Sequence, residues 1–262
     1  AITEGGFGAD LGAEKFLDIK CRIAKLKPSA VVIVATVRAL KMHGGLAKSE
    51  LNEEDLVALE KGMPNLLRHV SNIKDVYKLP SVVAVNRFPT DTQAEIDLII
   101  EKCKELGVNV VLSDVWAKGS LGAVELADEV VRLCERENDF TYSYETEKPI
   151  KDKIESIVKK VYRGNGVSFT GNALKQIAEL EALGFENLSV CIAKTQYSFS
   201  DDPTKLGAPD NFTVTVKNVK VSAGAGFIVV LTGDILTMPG LPKVPAAENI
   251  DIGDNGKITG LF

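Results

Sequence analysis

Short apolar runs alternate with amphipathic stretches along most of the chain. Four of these runs are rich in β-branched residues and contain no charged residue: Ala30–Thr36, Ser81–Asn86, Asn109–Ser113 and Ser189–Ala193. Continuous runs of this length are typical of strands in a parallel sheet that is covered on both faces. We therefore expect four buried strands, each shielded from solvent on both sides.

The apolar residues between these runs recur at the 3.6-residue spacing of a single helix face. One helix is predicted to begin at the capping box Thr92-x-x-Glu95 and to end at Gly107. The predicted buried face of the following helix consists of Leu126, Ala127, Val130, Val131 and Cys134. Strands and helices that alternate through short loops predict βαβ units, and hence an α/β fold with a mostly parallel sheet.

The last quarter of the chain has a different pattern. From about Thr195 onward, Gly, Pro, Asp and Asn are frequent, and short alternating runs occur at Phe212–Val216 and Phe227–Thr232. This pattern predicts a small β-rich region with many loops, and not another βαβ unit. We expect three domains, at residues 1–75, 76–200 and 201–262, with the first boundary within Asn72–Lys78.

Composition excludes several classes of protein. The 262 residues are 45% hydrophobic and 26% charged, as in an ordinary globular protein, and no apolar run approaches the roughly 18 residues of a membrane span. The net charge of −5 argues against a non-specific nucleic-acid binder, which needs a basic surface. The four cysteines form no C-x-x-C pair. We expect Cys103 and Cys134 to be small buried side chains, no metal site, and a reducing, cytoplasmic compartment.

Two aromatic residues follow the ends of two predicted strands. Phe88 comes shortly after Ser81–Asn86, and Trp116, the only tryptophan, comes shortly after Asn109–Ser113. In open parallel sheets, ligands bind at the carboxyl ends of the strands. If these two strands pair side by side, the two rings would form a slot for a flat heteroaromatic ligand. The alternative is that both rings pack on helix ends.

Two further segments have the composition of anion-binding loops. Arg38, Lys41 and His43 follow the first strand and precede two glycines, which suits a phosphate or carboxylate ligand or, alternatively, a solvated loop. The glycine-rich segment Thr3–Gly12 leads into a helical pattern, and it would offer backbone amides to an anion or form an ordinary tight turn. The chain contains no Walker A motif and no recognisable Ser-His-Asp or Cys-His arrangement.

At these same residues the sequence resembles the formate–tetrahydrofolate ligase family, also called formyltetrahydrofolate synthetase. The resemblance covers the whole chain. The segments that carry it are TEGGFGADLGAEKF (Thr3–Phe16), ATVRALKMHGG (Ala35–Gly45), VNRFPTDT (Val85–Thr92), DVWAKG (Asp114–Gly119), AKTQYSFSDD (Ala193–Asp202) and TMPGLPKVPAAENIDI (Thr237–Ile252). The ending Ile258–Phe262 is similar to the family's own C-terminus, and the short connection after His43 resembles bacterial members.

The resemblance implies an ATP-dependent ligase of one-carbon metabolism with a fold like that of P-loop NTPases. In the family, ATP phosphorylates formate to formyl phosphate, and the N10 amine of tetrahydrofolate then attacks the formyl carbon. The products are 10-formyltetrahydrofolate, ADP and phosphate. Mg²⁺ is required, and a monovalent cation such as K⁺ or NH₄⁺ assists. The expected partners are tetrahydrofolate, formate and ATP, in a cytoplasmic homotetramer that binds neither nucleic acid nor membrane.

Three groups of site residues follow from the resemblance. The residues expected to stack on the folate pterin or to line its pocket are Phe88, Trp116 and Leu112. The residues expected to pack on the adenine ring of the nucleotide are Gly6, Phe7 and Gly8. The residues expected to form a wall of the active site are Arg38, Lys41 and His43. No catalytic residue is assigned.

The chain also departs from the family's pattern. It begins at Ala1 without Met, and the family's P-loop and formyl-phosphate-binding residues lie upstream of the segment that Thr3–Phe16 matches. We therefore expect a fragment, roughly the C-terminal half of a family member, that is inactive alone. Two functions stay open: the folate-binding part of a ligase, or a non-catalytic module that binds folate or a nucleotide.

Overall fold

The computed structural model describes residues 1–233, 235 and 243–260. The resemblance segment Thr237–Ile252 and the C-terminal Ile258–Phe262 therefore lie partly outside the described residues. The strands are β1 (Val31–Ala35), β2 (Ser81–Asn86), β3 (Asn109–Ser113), β4 (Gly166–Phe169), β5 (Ser189–Ala193), β6 (Thr213–Val216), β7 (Asn218–Ser222), β8 (Phe227–Leu231), β9 (Asp251–Ile252) and β10 (Ile258–Thr259). The α-helices are α1 (Gly12–Lys15), α2 (Arg22–Ala24), α3 (Val37–His43), α4 (Leu56–Ser71), α5 (Gln93–Glu105), α6 (Val115–Lys118), α7 (Val124–Cys134), α8 (Ile150–Ile157) and α9 (Gly171–Ala182).

Strands β1, β2 and β3 form a parallel sheet in that order, so the α/β fold class is confirmed. Strand β2 is buried on both faces from Ser81 to Val85, but Val34 of β1 is 67% exposed. The prediction that β1 is covered on both faces is therefore wrong. The reason is that helix α7 packs against β2 and β3 and leaves this face of β1 open. Strand β3, at the other edge of the sheet, is only half-buried from Val110 to Leu112, so full burial is wrong for it as well.

Helix α7 forms as predicted, but a different face of it is buried. Leu133 is buried, and Leu126 and Val130 are half-buried on the same face. In contrast, Val131 is 60% exposed and Cys134 is exposed. The prediction of a buried Cys134 is wrong because the apolar residues of this helix form an arc that is wider than the face packed on the sheet, so their spacing does not select which part of the arc is buried. Cys103 is buried as predicted.

Two small sheets lie in the second half of the chain. Strands β4 and β6 pair in parallel, while β5, β8 and β7 form a mixed sheet in which β7 runs antiparallel to β8. The predicted strands near residues 189–193, 212–216 and 227–232 are confirmed, whereas β4 and β7 have no counterpart in the sequence-based prediction. The β1–β2 and β5–β8 pairings each join residues on both sides of a predicted domain boundary. The domain division stays a prediction.

Helices α3 and α4 pack with their backbones in close contact. A Cβ atom on Gly62 of α4 would lie 1.8 Å from the carbonyl oxygen of Leu40, and one on Gly44 would lie 1.8 Å from the carbonyl oxygen of Ala58. Only glycine, which has no Cβ, allows such an approach from both sides. The contact fixes α3, which follows β1 directly, at the carboxyl end of the parallel sheet.

One contiguous hydrophobic core connects the two halves of the chain. It includes residues of α4, α5 and the parallel sheet as well as residues of α8 and the mixed sheet, among them Leu59, Ile99, Val83, Ile157 and Val230. In the described part of the chain, no helix combines the length and the apolar character needed to span a bilayer.

Candidate functional site

The carboxyl ends of β2 and β3 lie side by side, which is the condition for the predicted aromatic slot. Asn86 is the register partner of Ser113, and the Arg87 amide donates a hydrogen bond of 3.1 Å to the Ser113 carbonyl. The segments that carry Phe88 and Trp116 therefore leave the sheet at neighbouring points.

Phe88 is held in a tight turn directly after β2. Its amide donates to Oδ2 of Asp91 over 2.8 Å, and the Asp91 amide donates to the Phe88 carbonyl over 3.0 Å. Burial raises the pKa of the Asp91 carboxyl. The Phe88 ring is half-buried, and the guanidinium of Arg38 lies 5.6 Å from its centroid, within cation–π range. The end of β1 thus supplies a cation to the aromatic residue at the end of β2.

Trp116 projects from helix α6 with 79% of its surface exposed. The backbone beneath it is fixed, because the Asp114 amide donates to the Gly122 carbonyl over 3.0 Å and an ion pair of 2.9 Å joins Asp114 to Lys118. Within the residues that the structure describes, no ring contact joins Trp116 to Phe88. A large aromatic side chain that projects into solvent from a short helix after a strand end is typical of a ligand-binding position.

Leu112 completes the site from the strand itself. It lies on β3 opposite Val85 and packs, half-buried, against the core. Four residues on, or shortly after, the three adjacent strands are termed the strand-end site: Arg38, Phe88, Leu112 and Trp116. One cation, two aromatic rings and an apolar side chain suit a flat ligand that carries polar substituents.

The basic segment after β1 is a helix, and the predicted loop is wrong. Helix α3 begins directly after Thr36, whose hydroxyl accepts a hydrogen bond of 3.2 Å from the Ala39 amide. Threonine at this position is an N-cap, so a single residue is enough to connect the strand to the helix. Of the three predicted wall residues, Arg38 joins the strand-end site, whereas Lys41 and His43 have other partners.

Lys41 is 1% exposed and forms a buried ion pair. Its ammonium lies 2.8 Å from Oε1 of Glu95 and donates to the Glu53 carbonyl over 2.6 Å. Glu95 also accepts hydrogen bonds from the amides of Thr92 and Asp55, over 3.0 and 3.2 Å. Burial raises the pKa of Glu95, but the hydrogen bonds outweigh it and bring the pKa below its ordinary value. The predicted capping box is confirmed.

Both histidines lie near the buried carboxylate of Asp10. Nδ1 of His43 accepts a hydrogen bond of 3.2 Å from the Gly207 amide, and burial lowers the pKa of His43 although Asp10 opposes the shift. The ring of His69 lies 4.6 Å from that of Phe199, and the buried Nδ1 of His69 has no hydrogen-bond partner among the described residues. Burial lowers the pKa of His69 to about 4, so this side chain is neutral at physiological pH.

The segment Gly6-Phe7-Gly8 leads into a tight turn over residues 8–12, from which α1 begins. The amides of Leu11 and Gly12 both donate to the Gly8 carbonyl over 2.9 Å. Phe7 has a φ of 60° and is 74% exposed. A bulky residue in the left-handed region is strained, and such strain is concentrated at functional sites. The segment is therefore a preformed turn that presents one aromatic ring to solvent; it is termed the glycine turn, residues 5–12.

The glycine turn is anchored by an ion pair that has no signature in the sequence. Asp10 is 6% exposed and Lys194 is 5% exposed, and Oδ2 of Asp10 lies 2.6 Å from Nζ of Lys194. Burial raises the pKa of Asp10, but Lys194 and His69 outweigh it and bring the pKa below its ordinary value. The one available signal is that Lys194 directly follows the apolar run of β5.

Among the described residues, no group of three or more His, Cys, Asp or Glu side chains could hold a metal ion.

A comparison with models of protein families matches residues 1–262 to the family described as formate–tetrahydrofolate ligase. The matched range includes the whole strand-end site and the whole glycine turn.

Proposed function

Because the chain belongs to the formate–tetrahydrofolate ligase family, we propose that its strand-end site binds tetrahydrofolate and that its glycine turn binds the adenine ring of ATP. The observation that supports the folate assignment most is Trp116, which is 79% exposed on the short helix α6 directly after β3. A pterin is a flat heteroaromatic ring, and stacking on such a side chain contributes to binding. Formate is the third substrate that membership of the family implies.

Arg38 gives the strand-end site a polar component. Its guanidinium lies over one side of the Phe88 ring, so its position is fixed by an aromatic partner. Its planar set of donors matches the carbonyl and carboxylate oxygens that a folate carries. In this proposal, Trp116 and Phe88 supply stacking area while Arg38 selects the orientation of the ligand.

In this proposal the glycine turn binds the adenine ring and not the triphosphate. Phe7 is exposed, and a Cβ added to Gly6 would meet no atom within 4 Å, so a flat ring has room beside it. The sequence has no Walker A motif for the phosphates, and the described residues have no acidic cluster for Mg²⁺. We therefore propose that the complete reaction uses Mg²⁺ and a monovalent cation such as K⁺ or NH₄⁺, and we assign neither ion to residues of this chain.

The proposed reaction activates formate as formyl phosphate, whose formyl carbon is then attacked by the N10 amine of tetrahydrofolate. The contribution of this chain is positioning, because stacking in the strand-end site fixes the plane of the pterin and with it the direction of N10. A cytoplasmic homo-oligomer, tetrameric as in the family, is part of the proposal. The second candidate is a non-catalytic module that binds folate or a nucleotide, which the absence of a Walker A motif favours.

Replacement of the exposed tryptophan tests the folate assignment. Trp116→Ala is expected to weaken tetrahydrofolate binding by about 1–3 kcal/mol, because it removes the larger stacking surface. Isothermal titration calorimetry on the wild type and the variant measures the change. The control is Leu183→Ala, which truncates an apolar side chain that is 70% exposed at the end of α9. Equal affinities of the wild type and Trp116→Ala would refute the assignment.

Formate-dependent release of ADP separates the two candidate functions. The isolated chain, mixed with ATP, formate, Mg²⁺ and tetrahydrofolate, is expected to release no ADP above the background without formate, because it lacks a Walker A motif. A coupled assay for ADP makes the measurement. Robust formate-dependent release would contradict the expectation and would show that other residues of this chain hold the phosphates.

A further inference from the structure

Phe7 occupies a backbone conformation that an isolated turn does not favour. Its φ is 60°, and the left-handed conformation is unfavourable for a residue other than glycine. The turn is also tightly closed, since a Cβ on Gly12 would lie 1.9 Å from the Gly6 carbonyl oxygen. Strain of this kind persists only where surrounding contacts determine the conformation. The contacts that hold the glycine turn therefore decide where the Phe7 ring points.

The side chain of Asp10 lies against the backbone of the glycine turn, to which Asp10 itself belongs. A Cβ on Gly8 would lie 2.5 Å from Oδ1 of Asp10, so this carboxylate oxygen lies against the backbone of the residue that follows Phe7. The other oxygen, Oδ2, lies 2.6 Å from Nζ of Lys194. The Asp10 carboxylate thus connects the glycine turn to the segment after β5.

Lys194 is itself fixed in three directions. An ammonium has three N–H donors, and the structure provides three acceptors: the Asp10 carboxylate, the Ser198 carbonyl and the Thr195 carbonyl, the last at 3.2 Å. The side chain is 0% exposed, and Nζ lies 4.9 Å from the centroid of the Tyr162 ring. All donors are satisfied, so the ammonium is a rigid anchor for the carboxylate and not a mobile surface charge.

We infer that Lys194 is a positioning residue for the nucleotide: through Asp10 it fixes the glycine turn so that Phe7 faces the adenine ring. The identity of the ligand rests on the proposed function, whereas the order of the turn does not. Preorganisation of this kind raises affinity, because the turn does not have to be ordered when the ligand binds. Lys194 does not have to touch the nucleotide to have this effect.

Hydrogen exchange tests the order of the turn without any ligand. In Lys194→Met, the amides of Leu11 and Gly12, which donate to the Gly8 carbonyl, are expected to exchange at least about tenfold faster than in the wild type. The amides of α9 serve as the internal reference. The matched control is Lys175→Met, which changes a lysine on α9 that is 77% exposed. Exchange of both amides at the wild-type rate in Lys194→Met would overturn the inference.

Titration with ADP and with tetrahydrofolate tests the consequence for binding. Lys194→Met and Asp10→Asn are each expected to bind ADP about tenfold more weakly and tetrahydrofolate with unchanged affinity. The double variant Asp10→Asn/Lys194→Met leaves no unpaired buried charge, so it regains thermal stability relative to the single variants but not affinity for ADP.

Parallel losses of ADP and folate affinity would overturn the inference, because they would indicate a general structural role for the ion pair. Recovery of both ADP affinity and thermal stability in the double variant would also overturn the inference. If the wild type does not bind ADP, the nucleotide assignment of the glycine turn fails. In that case the exchange of the two amides still decides whether Lys194 orders the turn.

Discussion

Glu95→Leu is expected to lower the free energy of unfolding by about 3–5 kcal/mol, because it leaves the ammonium of Lys41 buried without a counter-charge. Lys41 is 1% exposed and Glu95 is 0% exposed, so neither side chain is able to reach solvent without local opening. The same carboxylate accepts hydrogen bonds from the amides of Thr92 and Asp55. Its loss therefore also removes the Glu95 half of the capping box of α5 and the link between that helix and the start of α4.

Urea unfolding followed by far-UV circular dichroism measures this change. The matched control is Glu101→Leu on the same helix, where the carboxylate is exposed and a change below about 1 kcal/mol is expected. The double variant Lys41→Met/Glu95→Leu should regain part of the loss, since it replaces the buried pair by apolar side chains of similar volume. A single variant as stable as the control would contradict the role given to this pair.

Gly62→Ala is expected to destabilise the protein by more than about 3 kcal/mol, since the added methyl group would overlap the backbone of α3. Its Cβ would lie 1.8 Å from the carbonyl oxygen of Leu40, and no rotamer change relieves a contact with backbone. Helix α3 would have to move away from α4. Because α3 carries Arg38, the movement would also disturb the strand-end site.

The sign of the change in stability distinguishes this close contact from an ordinary helix position. Replacing glycine by alanine inside a helix ordinarily stabilises it by roughly 0.5–1 kcal/mol. Gly171→Ala is the matched control, because this glycine is the first residue of α9 and an added Cβ would meet nothing within 4 Å. Thermal unfolding of both variants measures the contrast, and a melting temperature for Gly62→Ala at or above that of the wild type would refute the close contact.

The features that depend on local pattern could be predicted from the sequence. The run Ser81–Asn86 has the same bounds as β2, and the capping box at Thr92 starts α5. The helix predicted to stop at Gly107 does so, with a φ of 67° at that glycine. In each case the determining residues lie within one turn of the feature, so no knowledge of the tertiary structure is needed.

The features that depend on distant partners could not be predicted. Lys41 and Glu95 are 54 positions apart, and Asp10 meets Lys194 only because β5 ends beside the glycine turn. Exposure of Val34 likewise reflects which strand α7 covers, and not the composition of β1. The strand-end site lies between these cases, because the sequence shows that Phe88 and Trp116 follow two strands, while the pairing of β2 with β3 is a tertiary feature.

The exposure of Trp116 has a practical consequence for spectroscopy. It is the only tryptophan of the chain, so all tryptophan fluorescence comes from one loop at the carboxyl end of the sheet. The indole is solvated already in the folded protein, and loss of the core changes its surroundings little. Tryptophan emission from this protein is therefore a poor monitor of denaturation. Quenching or a blue shift of that emission on addition of a ligand, in contrast, reports binding beside Trp116.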